Sequence, residues 1–135
     1  MSELNKIALK ILSNGKGILA ADESNGTMTK RLDSVNIESS PETRLLFRET
    51  LFAAKSMKDC IGGVILYDET INQTSNLGKT IPSMISETGA VPGIKVDTGA
   101  KDLANSLDEK ITEGLDGLRE RLKKYYELGA RFTKW

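Results

Sequence analysis

Three short, largely apolar runs that each end in a carboxylate restrict the fold of this chain more than any other feature. The runs are residues 17–21 before Asp22, residues 61–67 before Asp68, and residues 91–96 before Asp97. Each is too short for a typical helix and lacks the polar–apolar alternation of a half-buried strand. Such runs are typical of strands that are buried on both faces of a parallel sheet.

Segments with helical spacing separate these runs. Four helices are predicted. The first runs from Leu4 to Leu12, between Ser2 as its cap and Asn14-Gly15 as its stop, and the second is opened by Ser40-Pro41-Glu42 and has Phe47, Leu51 and Ala54 on one face. The third is a short helix around 82–86, and the fourth carries Leu115, Leu118, Leu122 and Tyr125 and ends at Gly129. Residues 130–135 resemble a fourth strand, and residues 99–110 are predicted to be a long loop. The alternation indicates one α/β domain over residues 1–135, with a parallel sheet that is either doubly wound or closed as a barrel.

Composition narrows the range of partners. Lysine plus arginine number 19, as do aspartate plus glutamate, so no excess charge favours nucleic acid or an acidic membrane. No apolar run approaches the roughly 18 residues that would cross a bilayer. The chain contains no histidine, the commonest zinc ligand, and a single cysteine. We expect a cytoplasmic protein that uses no metal or cofactor and contacts neither nucleic acid nor membrane.

Two glycine motifs for nucleotides are absent. Gly15-Lys16-Gly17 precedes a strand, whereas a phosphate-binding loop of the Walker type follows a strand and opens a helix. The first strand runs into Ala20-Ala21-Asp22 without the glycines of a dinucleotide site. We therefore expect no nucleotide at this position.

The residues after the first strand are candidates for catalysis and phosphate binding. Asp22 lies at the carboxyl end of its strand, where α/β enzymes carry their chemistry, and could be a general acid or base. It could equally cap the turn that follows. Ser24 and Thr27, followed by Lys30 and Arg31, could hold a phosphate through hydroxyl groups and positive charge. A solvated turn with scattered charges would have the same composition.

Two lysines stand out because they lie in predicted strands. Lys95 falls between Ile94 and Val96, where burial of its charge is costly unless another interaction compensates for it. Lys134 has the same place in the next predicted strand. A partly desolvated lysine near another cation can act as an amine nucleophile or a proton donor. With Asp22, the two lysines would suit a phosphorylated carbonyl substrate, although either lysine alone could extend to solvent at a strand end.

Three other residues with reactive side chains are not expected to form a site. Cys60, directly before the second apolar run, is expected to be a small buried side chain without unusual reactivity. Asp68 and Glu69 are neighbours at a strand end and should point in opposite directions, so they are not expected to share a site.

Five ordered blocks resemble class I fructose-bisphosphate aldolases. They are residues 17–24 (GILAADES), residues 61–67 (IGGVILY) with Glu69-Thr70, residues 93–97 (GIKVD), residues 114–118 (GLDGL) and Lys134-Trp135. The resemblance covers nearly the whole chain. It implies a (β/α)8 TIM barrel, of which this chain carries about the first half. It also implies cytoplasmic, metal-independent, reversible cleavage of fructose 1,6-bisphosphate to dihydroxyacetone phosphate and glyceraldehyde 3-phosphate in glycolysis and gluconeogenesis.

The resemblance also implies roles for individual residues. Asp22 matches the acid that assists imine chemistry and carbon–carbon cleavage, and Lys95 matches a supporting active-site lysine. Lys134 matches the lysine that helps to form and break the carbinolamine. Arg31 matches a phosphate-binding arginine. Ser24 and Thr27 lie where the family has hydroxyl groups on the substrate side of the site. Arg44 is a weaker candidate for substrate binding.

The resemblance is incomplete in one respect. The imine-forming lysine of the family and the glutamate that handles its proton belong to later strands, which have no counterpart here. A TIM barrel needs about 250 residues. We therefore expect this segment alone to be inactive and the complete enzyme to be a homo-oligomer, usually a tetramer in the family. The alternative is a naturally short half-barrel that binds sugar phosphates or another chain without catalysis.

Overall fold

A four-stranded parallel sheet flanked by helices forms the body of the protein in a computed structural model that describes residues 1–135. The helices are α1 (Glu3–Leu12), α2 (Asn25–Asp33), α3 (Pro41–Phe52), α4 (Met57–Cys60), α5 (Asp68–Ile71), α6 (Ile81–Glu87) and α7 (Leu118–Glu127), with a 3-10 turn at Ser13–Gly15. The strands are β1 (Gly17–Ala21), β2 (Ile61–Leu66), β3 (Val91–Lys95), β4 (Gly99–Asp102), β5 (Lys110–Glu113) and β6 (Phe132–Lys134). No helix is both long and apolar enough to cross a bilayer.

The four predicted strands are confirmed and pair in parallel. The sheet order is β1-β2-β3-β6, so β1 and β6 are its two edges. The antiparallel pair β4-β5 lies apart from this sheet. The order follows the chain, as expected when each crossover places the next strand beside the previous one. The fold is therefore a segment of a parallel β/α barrel.

Register divides the sheet into two faces. One row across all four strands consists of Ala20, Ile65, Gly93 and Phe132. The next row points to the opposite face, because successive side chains alternate across a strand. Three members of that second row, Ala21, Leu66 and Ile94, are buried in the core with side chains from the surrounding helices. The other face carries the first row, and Ile11 of α1 lies beside Gly63 on that face.

Phe132 lies against two glycines, Gly63 and Gly93, on the face that carries the first row. A Cβ atom built on Gly93 would come within 2.4 Å of the Phe132 ring, and one on Gly63 within 3.3 Å. Glycine at these positions therefore allows the ring to lie flat against β2 and β3. Because Phe132 and Lys134 are two residues apart on β6, the same packing directs Lys134 to this face.

The predicted starts of α1 and α3 are confirmed, but the buried face of α3 was predicted wrongly. The Ser40 hydroxyl oxygen accepts a hydrogen bond from the Thr43 amide, and the Thr43 hydroxyl oxygen accepts one from the Ser40 amide. The two bonds form a capping box. Phe47 and Leu51 are more than one-third exposed, and Ala54 lies beyond the helix. The buried face instead contains two arginines, a glutamate and a phenylalanine: Arg44, Arg48, Glu49 and Phe52. Apolar spacing missed this face because ion pairs and hydrogen bonds satisfy the buried charges.

Four further features depart from the sequence-based expectations. The polar segment after Ser24 is a helix, α2, which buries Met28 and Leu32. The predicted loop at 99–110 belongs to a β-hairpin formed by β4 and β5. Leu115 is exposed and precedes α7. Cys60 is exposed, not buried, because it is the last residue of α4 and its thiol turns back to the Ser56 carbonyl oxygen.

Candidate active site

A polar cavity of about 470 Å³ lies at the carboxyl ends of the parallel strands. This end of a β/α sheet is where such enzymes bind substrates. Ten residues line the cavity: Ala20, Asp22, Glu23, Ser24, Thr27, Arg31, Lys95, Asp97, Gly99 and Lys134. Six of the seven predicted site residues are among them, and Arg44 is not.

Asp22 and Lys134 meet in this cavity. Lys134 Nζ donates a hydrogen bond of 2.6 Å to Asp22 Oδ2. Asp22 is only 6% exposed, whereas the Lys134 side chain is 43% exposed. The lysine can therefore reach a ligand while the carboxylate is held at its base. A carboxylate and an amine in direct contact can pass a proton between themselves and a bound substrate.

Lys95 lies on the neighbouring strand in register with Lys134. Its ammonium group donates to Asp97 Oδ1 at 2.5 Å and to the Asp97 carbonyl oxygen at 3.0 Å. Burial disfavours the Asp97 carboxylate, but the hydrogen bonds from Lys95 and the Gly99 amide outweigh it and hold the pKa of Asp97 below its usual value. Lys95 is thus a charged group with an anionic partner at the cavity wall.

The first turn of α2 brings hydroxyl groups to the opposite side of the cavity. Ser24 caps the helix by accepting from the Thr27 amide at 3.3 Å, and the two hydroxyl groups lie 3.1 Å apart. Arg31, two turns from the cap, forms an ion pair with Glu23 and is about half exposed. This group of two hydroxyls and one accessible guanidinium has the donors that bind a phosphate.

Arg44 lies away from the cavity in a buried ion pair. Its Nη2 donates to Glu69 Oε2 at 2.6 Å and its Nε donates to Glu69 Oε1 at 2.9 Å. The hydrogen bond to Glu69 raises the pKa of Arg44, and the Arg44 guanidinium lowers the pKa of the Glu69 carboxyl group. Glu69 also accepts from Asn25 of α2. Arg44 therefore connects α3, α5 and α2, and the structure does not bring it to the other candidates.

Asp68 and Glu69 have separate partners, as predicted, although for a different reason. Both lie on α5 and not at the end of a strand. Glu69 contacts Arg44, whereas Asp68 accepts a 2.8 Å hydrogen bond from the Tyr125 hydroxyl. Burial together with Asp68 raises the pKa of the Tyr125 phenol.

Sequence reasoning missed four lining residues: Ala20, Glu23, Asp97 and Gly99. A signal existed for Asp97, since it is the carboxylate that closes the third apolar run, two residues after Lys95. Glu23 had only its place beside Asp22. With them, the cavity wall carries three cations, Arg31, Lys95 and Lys134, and three carboxylates. Each of these cations has an anionic partner.

The fold and the cavity define a segment of a parallel β/α-barrel protein with a lysine–carboxylate site at the carboxyl ends of its strands. Comparison with known proteins identifies the family of this chain. The family model for class-I fructose-bisphosphate aldolase matches residues 3–135. The chain therefore belongs to the class I fructose-bisphosphate aldolase family.

Individual relatives agree with this assignment. A probable fructose-bisphosphate aldolase class 1 of Xylella fastidiosa is 50% identical over 135 residues, which are 100% of this chain and 40% of that protein. Fructose-bisphosphate aldolase 1 of Toxoplasma gondii is 50% identical over 98% of this chain and 37% of its own length. A crystal structure of the Plasmodium falciparum aldolase, in complex with TRAP and a small-molecule inhibitor, has a TM-score of 0.94 and 44% identity over 98% of this chain and 38% of that chain. This chain thus spans about two-fifths of the length of these relatives.

Proposed function

We propose that this chain contributes to the reversible cleavage of fructose 1,6-bisphosphate into dihydroxyacetone phosphate and glyceraldehyde 3-phosphate through a lysine imine. The observation that carries the proposal is the Lys134–Asp22 hydrogen bond of 2.6 Å at the carboxyl ends of the strands, with Lys95 in register beside it. Family membership supports the same reaction.

Each cavity residue has a role in this proposal. Asp22 takes the proton from the hydroxyl group whose oxygen becomes the new carbonyl as the carbon–carbon bond breaks. Lys134 donates a proton to the hydroxyl group that leaves the carbinolamine, so that the imine forms. Lys95 offers positive charge to the substrate. Arg31, with Ser24 and Thr27, binds one phosphate group of the substrate.

The imine-forming lysine belongs, in this proposal, to a part of the enzyme beyond these residues. The sheet has exposed edges at β1 and β6, and about 250 residues are needed to close a TIM barrel. We propose that the 135 residues alone are inactive and that activity belongs to a longer protein, cytoplasmic and homo-oligomeric, that acts in glycolysis and gluconeogenesis.

A coupled assay tests the proposal. The 135-residue chain and the complete gene product that contains it are supplied with fructose 1,6-bisphosphate, with and without a chelator, and formation of dihydroxyacetone phosphate is followed. We expect activity in the complete product only, unaffected by the chelator. Borohydride added with substrate should attach substrate to a lysine other than Lys95 and Lys134, as located by peptide mapping. Absence of cleavage in the complete product would reject the proposed reaction, and an adduct on Lys95 or Lys134 would reject the roles given to them.

A further inference from the structure

A buried arginine outside the cavity contacts the segment that carries the site residues. Arg48 of α3 is fully buried. Its Nη2 donates to the main-chain oxygen of Glu23 at 2.5 Å, and its Nη1 donates to the Thr70 hydroxyl at 2.7 Å. Glu23 directly follows Asp22 in the chain. Arg48 therefore fixes the backbone between β1 and α2.

The Glu23 carboxylate lies between two arginines, of which Arg31 is exposed and Arg48 is buried. One of its oxygens accepts from Arg31, which is about half exposed and lines the cavity. The other oxygen is buried without a hydrogen bond and lies 3.7 Å from Arg48 Nη2. One cation can thus turn towards a ligand, whereas the other is held inside the protein.

This arrangement affects how readily Arg31 can leave Glu23. A partly buried carboxylate that loses its only cation is strongly disfavoured, since charges in low-dielectric surroundings need a counter-charge. With Arg48 in place, Glu23 retains a cation when Arg31 moves. Arg48 benefits in turn: burial lowers the pKa of its guanidinium group, and the Glu23 charge opposes that effect.

We propose that Arg48 is a positioning residue that balances the charge of Glu23 and thereby leaves Arg31 available to bind a phosphate group in the cavity. The inference rests on the proposed function for the identity of the substrate, but not for the presence of a phosphate site. Arg48 touches no ligand itself. It acts through Glu23, and the order of contacts is Arg48, Glu23, Arg31, phosphate.

A double-mutant cycle tests this order of contacts in the complete gene product. Arg48→Met removes the charge and keeps an apolar stem, and Glu23→Gln removes the need for a counter-charge. Arg48→Met should weaken the binding of inorganic phosphate and of fructose 1,6-bisphosphate by about fivefold to tenfold, because Arg31 becomes the only cation of Glu23. In the background of Glu23→Gln the same substitution should change either dissociation constant by less than about twofold. Equal weakening in both backgrounds would mean that Arg48 acts only by supporting the fold.

Thr70→Val is the matched control. It removes the other side-chain partner of Arg48 and leaves the Glu23 contact in place. The melting temperature should fall, with the two dissociation constants unchanged. Phosphate binding weakened as much as by Arg48→Met would contradict the proposal.

Two conservative variants decide the matter if Arg48→Met does not fold. Arg48→Lys keeps a cation near Glu23, and Glu23→Gln alone releases Arg31. Both should bind inorganic phosphate within about threefold of the wild type, Glu23→Gln with equal or higher affinity. Weaker binding by Glu23→Gln, with native circular dichroism, would overturn the proposal.

Binding and catalysis separate this inference from the proposed reaction. In the active enzyme, Arg48→Met should raise KM for fructose 1,6-bisphosphate by more than it lowers kcat. A wild-type protein that binds phosphate with the predicted ranking but cleaves nothing would reject the reaction and retain the role of Arg48. Cleavage by the wild type with unchanged binding in Arg48→Met would retain the reaction and reject the role of Arg48. If the wild type bound neither phosphate nor fructose 1,6-bisphosphate, both the reaction and the role of Arg48 would be rejected.

Discussion

The Lys134 ammonium group lies 2.6 Å from the Asp22 carboxylate although 112 positions separate the two residues in the chain. They belong to the two ends of the sheet, because β1 and β6 are its edge strands. Three strand spacings of about 4.8 Å would separate these edges by roughly 14 Å in a flat sheet. The contact therefore requires a curved sheet whose concave face carries the cavity, as in the wall of a barrel.

Asp22→Asn should greatly reduce activity in the complete gene product. Asparagine keeps the shape of the side chain but cannot accept a proton from the substrate or balance the charge of Lys134. We expect kcat to fall by about 100-fold or more, the usual contribution of a general acid or base, with a much smaller change in KM. Steady-state cleavage of fructose 1,6-bisphosphate is the measurement.

Asp68→Asn is the control for this substitution. Asp68 also follows a parallel strand, but its carboxylate accepts from the Tyr125 hydroxyl and does not line the cavity. Activity should stay within about twofold of the wild type. A similar loss in both variants would show that the carboxylates that follow these parallel strands are needed for folding, and would remove the case for Asp22 as the proton acceptor.

The ion pair between Arg44 and Glu69 should make stability depend on pH in the acidic range. Arg44 lowers the pKa of Glu69, so the pair stabilises the fold above the unfolded carboxyl pKa of about 4.3 and loses this effect as the pH falls through the lower folded-state value. Glu69→Gln should reduce the free energy of unfolding by roughly 1–3 kcal/mol at pH 7, because the partly buried Arg44 loses its charged hydrogen-bond acceptor. The difference from the wild type should remain at pH 5 and shrink below about pH 4.3.

Urea unfolding at pH 7, 5 and 3.5 measures this difference. Glu87→Gln is the matched control, since it removes the exposed ion pair with Lys79, in which both side chains are about half exposed. Its cost should not exceed about 0.5 kcal/mol at any of these pH values. A constant difference between Glu69→Gln and the wild type from pH 7 to pH 3.5 would contradict the assignment of the pH effect to Glu69.

An element of this structure was predictable from the sequence where its burial produces an apolar pattern in neighbouring residues. Strands β1, β2 and β3 were predictable because burial on both faces leaves a continuous apolar run. Helix α2 was not, since the segment is polar and buries only Met28 and Leu32. The face of α3 was missed because Arg44 and Arg48 are buried through partners such as Glu69 and Thr70, distant in the chain.

The candidate site was predictable to a similar degree. Lys95 and Lys134 were conspicuous because a charged residue interrupts an apolar run, and their register now places them side by side. Arg44 was grouped with the site on the family likeness alone, which did not reveal that Glu69 holds it in an ion pair away from the cavity. Glu23 was overlooked since its importance comes from two arginines, Arg31 and Arg48, that only the tertiary structure brings together.

Cys60 should react with a thiol reagent in the native protein. The structure places this single cysteine on the surface at the end of α4. Reaction with a chromogenic disulfide should proceed in native buffer at a rate within about tenfold of that in denaturant. Cys60→Ser should abolish the signal. A thiol that reacts only after unfolding would favour the earlier expectation of a buried side chain.

Gly93→Ala should disturb both stability and activity, because Phe132 occupies the space where the new methyl group would lie. The added Cβ would come within 2.4 Å of the ring, so Phe132 must move and the strand that carries Lys134 must move with it. We expect a loss of about 1–3 kcal/mol in the free energy of unfolding, typical of overpacking, and a lower kcat. Phe132→Leu should recover part of the stability in the Gly93→Ala background while being destabilising alone. Gly26→Ala, where the methyl group would meet nothing within 4 Å, should be neutral or slightly stabilising. If Gly93→Ala were as stable and active as Gly26→Ala, the ring of Phe132 would not fix the position of Lys134.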